Sequence, residues 1–248
     1  GGWNGRLGQA LCGLSRWWRS TMRHPSPGSR HLHLLVTMPS ASPLLSIDDL
    51  YFSHPNAPVF SGFQARIGAG LVLVCGDEST GKTTLLRLLA GELTPQQGLL
   101  TLHGISAGPS REAYRAQVFH ADPRSEALDP QTAQAWLDAQ ARRYPGWDAE
   151  ALALHIQGFA LAEHLDKTFY ALSTGTRRKV CMAAALASQA LLTLIDEPIA
   201  GLDKPSVVYL AQALGRSCQG AERAVVVAHY APLPGVRWAK VLELPPRE

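Results

Sequence analysis

The stretch GDESTGKTTLL, residues 76–86, decides how the rest of the chain is interpreted. It places a glycine, four residues and then Gly-Lys-Thr, which is the phosphate-loop pattern. The apolar run GLVLVCG, which ends at Gly76, predicts a buried parallel strand before the loop. Apolar residues at helical spacing after the loop predict a helix that ends near Gly91. Because this is the context that the pattern requires, the sequence predicts binding of a nucleoside triphosphate.

The loop also predicts which groups hold the phosphates. Its glycines allow a tight turn in which backbone N–H groups and the N-terminus of the next helix face phosphate oxygens. Lys82 is predicted to reach the β- and γ-phosphates, and the Thr83 hydroxyl is predicted to bind Mg²⁺. A glycine-rich turn that only caps a helix is the alternative. The predicted nucleotide-binding residues are Gly76, Asp77, Glu78, Ser79, Thr80, Gly81, Lys82, Thr83 and Thr84.

Two further apolar runs predict buried strands that end in polar residues. ALLTLIDEP, residues 190–198, ends in Asp196 and Glu197, and AVVVAHY, residues 224–230, ends in His229. Strands that alternate with helices indicate a parallel sheet, and ligands bind at the carboxyl ends of such strands. The phosphate loop, the acid pair and the histidine are therefore expected to converge. Asp196 is predicted to hold Mg²⁺ and Glu197 to accept a proton from the attacking water, unless the two acids are simply solvated.

The segment LSTGTRRKV, residues 172–180, precedes a predicted helix that runs to about Ser188. Ser173 can cap this helix, and Gly175 leaves room for a phosphate to approach the backbone. Taken alone, the segment is equally well explained as a helix N-terminus with a basic first turn.

The order of five motifs changes that interpretation. GDESTGKTT, LSTGT, LIDEP, GLD (residues 201–203) and VVAHY follow one another as in the ATP-binding cassette family, the motor subunits of ABC transporters, which the chain resembles over roughly residues 44–244. The resemblance implies an α/β fold: a P-loop NTPase with a parallel core sheet, an N-terminal antiparallel β part and an inserted helical subdomain at about residues 124–170. Small cassettes of this kind resemble exporter-type subunits, including the haem-exporter ATPases of cytochrome c maturation.

The resemblance also implies a dimer in which each ATP lies between two cassettes. Ser173 and Gly175 would contact the γ-phosphate of the nucleotide held by the partner cassette. Asp203 would lie at the dimer seam, and His229 would bind the γ-phosphate and position the attacking water. Glu197, His229 and Lys82 are then the catalytic residues, with ATP and Mg²⁺ as the bound groups.

Three positions depart from the family pattern. The family usually has a glutamine near Mg²⁺ at the end of the strand after the phosphate-loop helix, where QVFHADP has His120. His120 is predicted to complete the metal site with Thr83 and Asp196, although histidine is a poorer Mg²⁺ ligand than an oxygen donor, and Gln117 is a less suitable substitute. The position of the aromatic residue that stacks on the base is matched by His54, whose ring offers less stacking surface. Thr176 stands where glutamine is common.

Length and charge define the domain organisation. The chain has 248 residues, 46% of them hydrophobic and 17% charged, which is enough for one sizeable domain. Residues 1–43 contain five arginines and no acid, and they are predicted to be a disordered basic extension. Met38 is a candidate start, and a non-native leader or an organelle-targeting leader is the alternative for residues 1–37. Residues 44–248 are predicted to form the ABC ATPase domain.

The composition also limits the partners. The net charge of +3 derives from the extension, and the remainder carries no single-sign field that predicts nucleic-acid binding. Four cysteines at unrelated spacings predict a reducing compartment. The longest apolar stretch, residues 182–195, is shorter than the ~20 residues that a membrane span needs.

The predicted function is that of an ATP-hydrolysing transporter subunit. The resemblance implies a homo- or heterodimer of cassettes on a separate transmembrane permease, in the cytoplasm at the inner face of the membrane. A regulatory cassette that binds ATP with little turnover is one alternative. A soluble, non-transport cassette is another. Ribosome-acting members of the family usually carry two cassettes, whereas this chain has one, and the 46 residues from Arg124 to Phe169 are too few for the long coiled coil of the DNA-repair members.

Overall fold

A computed structural model describes residues 43–55, 57–108 and 110–246 of the chain. The predicted extension, apart from Pro43, and the candidate start Met38 lie outside the described residues. Nine strands are present in the described part: β1 (Leu45–His54), β2 (Ala57–Ile67), β3 (Gly70–Cys75), β4 (Gln97–Leu102), β5 (Ile105–Ser106), β6 (Val118–His120), β7 (Leu192–Asp196), β8 (Ala224–His229) and β9 (Lys240–Glu243).

Six α-helices join these strands within the described ranges: α1 (Lys82–Leu89), α2 (Arg111–Arg115), α3 (Ala133–Arg143), α4 (Ala149–Gly158), α5 (Thr174–Ala187) and α6 (Lys204–Ser217). Short 3₁₀ turns lie at Glu126–Leu128, Ala162–His164 and Phe169–Ala171. In the part of the chain that the structure describes, no helix has the length and apolar character needed to cross a membrane.

The strands form two sheets. The larger sheet is parallel, with the order β6-β7-β8-β3-β9, and the smaller one is antiparallel, with the order β2-β1-β4-β5. The parallel order requires a crossover between every pair of neighbouring strands, and helices supply most of these crossovers. This arrangement confirms the predicted fold class, including the N-terminal antiparallel part.

Both faces of the parallel sheet are buried at β3, β7 and β8, because alternate side chains along these strands enter different cores. On one face, Val72, Val74 and Val226 pack with α1 and the antiparallel sheet. On the other face, Val225 and Val227 pack with residues of α3, α5 and α6. The continuous apolar runs of β3, β7 and β8 in the sequence are a direct consequence of this double burial.

The segment 124–170, predicted as a helical subdomain, contains α3, α4, two of the 3₁₀ turns and the start of the third, Phe169–Ala171. Thr132 and Asp148 cap the two α-helices by accepting hydrogen bonds from Ala135 N and Ala151 N. The helical structure of this segment is interrupted after α4, which ends at Gly158, because Ala160 has a φ of 54°. Such a left-handed residue cannot continue a right-handed helix.

A close contact between α4 and α6 explains why α4 has a glycine at its end. The Tyr209 ring lies edge-on to Phe159 with 4.8 Å between centroids, and its hydroxyl donates a hydrogen bond to the Leu154 carbonyl. A Cβ at Gly158 would overlap this ring. The ring is held from several sides, so it has little freedom to move away.

We expect Gly158→Ala to lower the free energy of unfolding by about 1–3 kcal/mol, because the added methyl group overpacks the α4–α6 contact. Gly215→Ala is the matched control, since Gly215 is exposed on α6 and a Cβ there meets nothing within 4 Å. The control is expected to be neutral or to stabilise the protein by up to about 1 kcal/mol. The free energy of unfolding of both variants is measured by chemical denaturation. Equal changes in the two variants would contradict the overpacking of the α4–α6 contact.

Candidate nucleotide site

The carboxyl ends of three adjacent strands form the site. In the parallel sheet β8 lies between β7 and β3, and Cys75 of β3 is in register with His229 of β8. Asp196 of β7 is in register with Ala228, the residue before that histidine. The end of β3 leads directly into the phosphate loop. The phosphate loop, the acid pair and His229 therefore lie along one edge of the sheet.

The phosphate loop curls around the ammonium group of Lys82. Its Nζ donates to the carbonyl oxygens of Gly76 and Asp77, each at 2.7 Å. Ser79 and Gly81 both have positive φ angles, of 63° and 100°, which produce the tight turn. The side chains of Asp77, Glu78 and Ser79 are exposed at the rim, whereas Thr80 and Lys82 are buried.

Thr83 and Asp196 are in direct contact. The Thr83 hydroxyl donates to Asp196 Oδ2 at 2.7 Å, and Asp196 Oδ1 is buried without a hydrogen-bond partner among the described residues. Burial raises the pKa of Asp196, an effect that the Thr83 hydrogen bond opposes and the neighbouring Glu197 charge reinforces. A hydroxyl beside an unsatisfied carboxylate oxygen is an oxygen donor set that suits Mg²⁺.

Glu197 and His229 form the second contact at this edge. His229 Nδ1 lies 2.9 Å from Glu197 Oε2, and the imidazole is 3% exposed. Glu197 has a φ of 43°, which is strained for a residue with a side chain, and its N–H donates to the Ala228 carbonyl. The turn after β7 thus holds the carboxylate against the histidine of the neighbouring strand.

His120, the residue in place of the usual glutamine, lies in the cavity next to Thr83 and Asp196. Its Nδ1 donates to Glu92 Oε1 at 2.6 Å, and this hydrogen bond is the main reason that the pKa of Glu92 is lowered. Gln117 does not line the cavity; its amide donates to the Ala113 carbonyl.

His54 lies beside the start of α1. Its Nε2 is 3.2 Å from Thr84 Oγ1, and its ring is edge-on to Phe52 at 5.1 Å between centroids. The side chain is half-buried. The structure thus places His54 against the last residue of the predicted nucleotide-binding loop.

The segment 173–176 begins α5 and contacts the turn after β7. Ser173 caps the helix by accepting a hydrogen bond from Thr176 N at 3.2 Å. A Cβ at Gly175 would collide with the Gly201 carbonyl oxygen, so only glycine allows this close approach of two backbones. Among the described residues, neither Ser173 nor Gly175 lines the cavity that contains Asp196 and Glu197.

Asp203 lies at the start of α6, next to this contact. It accepts a hydrogen bond from Ser206 N at 2.8 Å and pairs with Lys179 Nζ at 2.6 Å. The Lys179 hydrogen bond is the main cause of a lowered Asp203 pKa. The side chain is 55% exposed, so it is accessible from outside the domain.

Five charged residues that line the cavity were not predicted from the sequence: Arg87, Glu92, Asp122, Arg124 and Arg178. Glu92 follows α1, Arg124 follows β6, and Arg178 lies on the first turns of α5. Arg177, which does not line the cavity, links α5 to the segment after β6 by donating to the carbonyls of Pro123 and Ser125. No spacing in the sequence indicates these positions, because the fold alone brings them together.

The geometry defines a class of protein first: a phosphate-loop nucleotide-binding domain with an acid pair and a histidine at its strand ends. Comparison with known proteins agrees. The model of the ABC transporter family matches residues 63–200. A solved chain described as the ATP-binding subunit of an ABC transporter superposes with a TM-score of 0.67 at 23% identity, over 75% of this chain and 79% of its own.

Curated relatives narrow the class further. The cytochrome c biogenesis ATP-binding export protein CcmA of Xanthomonas axonopodis pv. citri is 32% identical over 79% of this chain and 91% of the relative. The protein of the same name from Alkalilimnicola ehrlichii is 33% identical over 82% of this chain and 85% of the relative. The chain belongs to the ABC transporter family, as an ATP-binding cassette subunit whose ATPase activity is coupled to transport.

Proposed function

We propose that two such cassettes close around two ATP molecules and so drive a separate membrane subunit through an export cycle. The observation that carries this proposal is the pair of contacts at the strand ends, Thr83 with Asp196 and Glu197 with His229. One contact suits a metal and the other suits activation of water. A domain that only bound nucleotide would need the first contact and not the second.

Lys82 and the loop N–H groups hold the phosphates in this proposal. The Lys82 ammonium group is buried and is held inside the loop by the carbonyls of Gly76 and Asp77, where its positive charge can attract phosphate oxygens. Thr83 and Asp196 would hold Mg²⁺, which neutralises charge on the phosphate oxygens when it is bound. His120 has Nδ1 bonded to Glu92, so Nε2 is the nitrogen left to meet the metal or its water.

Glu197 is the general base in this proposal, and it accepts a proton from the water that attacks the γ-phosphate. His229 fixes the carboxylate through its Nδ1 and leaves Nε2 for the γ-phosphate or the water. The strained turn at Glu197 and the buried imidazole limit the motion of both groups. Such preorganisation lowers the cost of aligning the water for in-line attack.

Ser173, Gly175 and Asp203 would serve the partner cassette. They lie outside the cavity of their own chain, at the start of α5 and α6. The N-terminus of α5 carries partial positive charge, which suits the γ-phosphate of a nucleotide that the other cassette holds, and Asp203 would lie at the dimer seam. His54, beside Thr84, is the group nearest to the predicted position of the base.

The relatives suggest the transport process. Both are named as ATP-binding export proteins of cytochrome c biogenesis, and the alignments cover most of their length. We therefore propose that the chain powers an export step of cytochrome c biogenesis. The cassette dimer would sit on the cytoplasmic face of a membrane, attached to a permease of separate chains.

Glu197→Gln is expected to lower the ATPase rate at least about a hundredfold while ATP binding persists, because the amide cannot accept the proton from water. An ATP-bound dimer should then accumulate in size-exclusion chromatography with Mg²⁺. Lys82→Ala is the paired variant: it is expected to bind no ATP at millimolar concentration and to stay monomeric. A Glu197→Gln variant with the parent's turnover would contradict the assignment of the base.

In a bacterium that lacks its own cytochrome c biogenesis cassette, expression of this chain is expected to restore c-type cytochromes. The measurement is haem that remains covalently bound to protein on denaturing gels. Lys82→Ala, produced at the same level, should restore none, because the export step lacks its energy source. No restoration by an ATPase-active chain would contradict the assignment to cytochrome c biogenesis.

A further inference from the structure

Arg124 lies at the nucleotide site without belonging to any motif of the sequence. It follows β6 by four residues, and its backbone N–H donates to Asp122 Oδ1 at 2.9 Å. The same carboxylate oxygen accepts from Arg124 Nε at 3.1 Å, so Asp122 orients the guanidinium group. Arg124 Nη2 then lies 3.9 Å from Asp196 Oδ2, the oxygen that Thr83 contacts.

The other arginines and the histidine that line this cavity have hydrogen-bond partners of their own. Arg178 is 6% exposed and donates to the Ala200 carbonyl at 2.6 Å, which fixes its position. Arg87 and His120 both pair with Glu92. Among the described residues that line the cavity, Arg124 is thus the cationic side chain that pairs with the Asp196 carboxylate.

Two properties of Arg124 suit a nucleotide contact. Its side chain is 61% exposed, so the guanidinium group can reorient toward a ligand with little loss of packing. A guanidinium group also presents several N–H donors in one plane, which matches phosphate oxygens. Asp196 and Glu197 repel the phosphates of ATP, and at ~4 Å a neighbouring positive charge offsets much of that repulsion.

We propose that Arg124 is a second cation of the nucleotide site, which neutralises the acid pair and binds phosphate oxygens of ATP alongside Mg²⁺. This inference rests on the proposed Mg²⁺ site at Thr83 and Asp196. It predicts that the chain retains measurable ATP affinity without Mg²⁺, and that this affinity depends on Arg124. With Mg²⁺ bound, the metal supplies most of the same charge, so the arginine matters less.

The test is the Kd for ATP, measured by calorimetry on the full chain at saturating Mg²⁺ and again with a chelator. Arg124→Gln is expected to raise the Kd about tenfold in the chelator and less than about threefold in Mg²⁺. Arg124→Lys, which keeps the charge, should recover most of the loss. Melting temperatures should match the parent, because exposed substitutions seldom change stability.

Arg66→Gln is the matched control, because Arg66 is also an exposed arginine paired with an acid, Asp48, on the antiparallel sheet. It should leave both Kd values unchanged. The proposal is overturned if Arg124→Gln raises the Kd for ATP by the same factor in Mg²⁺ and in the chelator, or does not change it. It is also overturned if the parent chain binds ATP in Mg²⁺ but not in the chelator. A parent that binds no ATP in either condition overturns the proposed function as well.

Discussion

The site depends on the placement of β8 between β7 and β3. Parallel pairing fixes the three carboxyl ends at one edge, and the register sets Asp196 opposite Ala228 and His229 opposite Cys75. A slip of one residue in either pair would move alternate side chains from one core to the other. Because both faces of these three strands are buried, the hydrophobic cores enforce the register. The geometry of the polar edge is thus set by the packing of apolar side chains that never touch a ligand.

The polar residues at the carboxyl ends of the strands lower the stability of the fold. Asp196 has one oxygen without a partner among the described residues, and its raised pKa reflects the burial of a carboxylate. Glu197 is held at a strained φ angle beside a buried histidine. Each of these features opposes folding, and each is explained if the site is shaped for a cation and a phosphate. Function, rather than stability, accounts for them.

Much of this arrangement could be predicted from the sequence, for identifiable physical reasons. Strands buried on both faces appear as apolar runs, so β3, β7 and β8 and the residues at their ends were visible. The end of α4 could not be predicted from the sequence. It depends on the left-handed conformation of Ala160 and on contact with the ring of Tyr209, which lies about 50 residues away in α6. The short edge strand β9 has too few residues to show a pattern.

The charged residues around the acid pair were beyond prediction for a related reason. Glu92, Arg124 and Arg178 come from three separate segments, and only the fold assembles them. In the sequence, none of the three can be distinguished from an ordinary charged surface residue. The roles of Ser173, Gly175 and Asp203 depend on a second cassette, so the family resemblance suggested what their local geometry alone does not.

The central claim is that Asp196 holds the metal that helps bind ATP, and one comparison tests it most directly. The Kd for ATP is measured for the parent and for Asp196→Asn, each across a Mg²⁺ titration. If the claim is right, Mg²⁺ improves the parent's affinity at least about tenfold, and the amide variant gains little from the metal. In the absence of Mg²⁺ the variant should bind ATP at least as well as the parent, because one repelling charge is gone. An equal gain from Mg²⁺ in both proteins would contradict the claim.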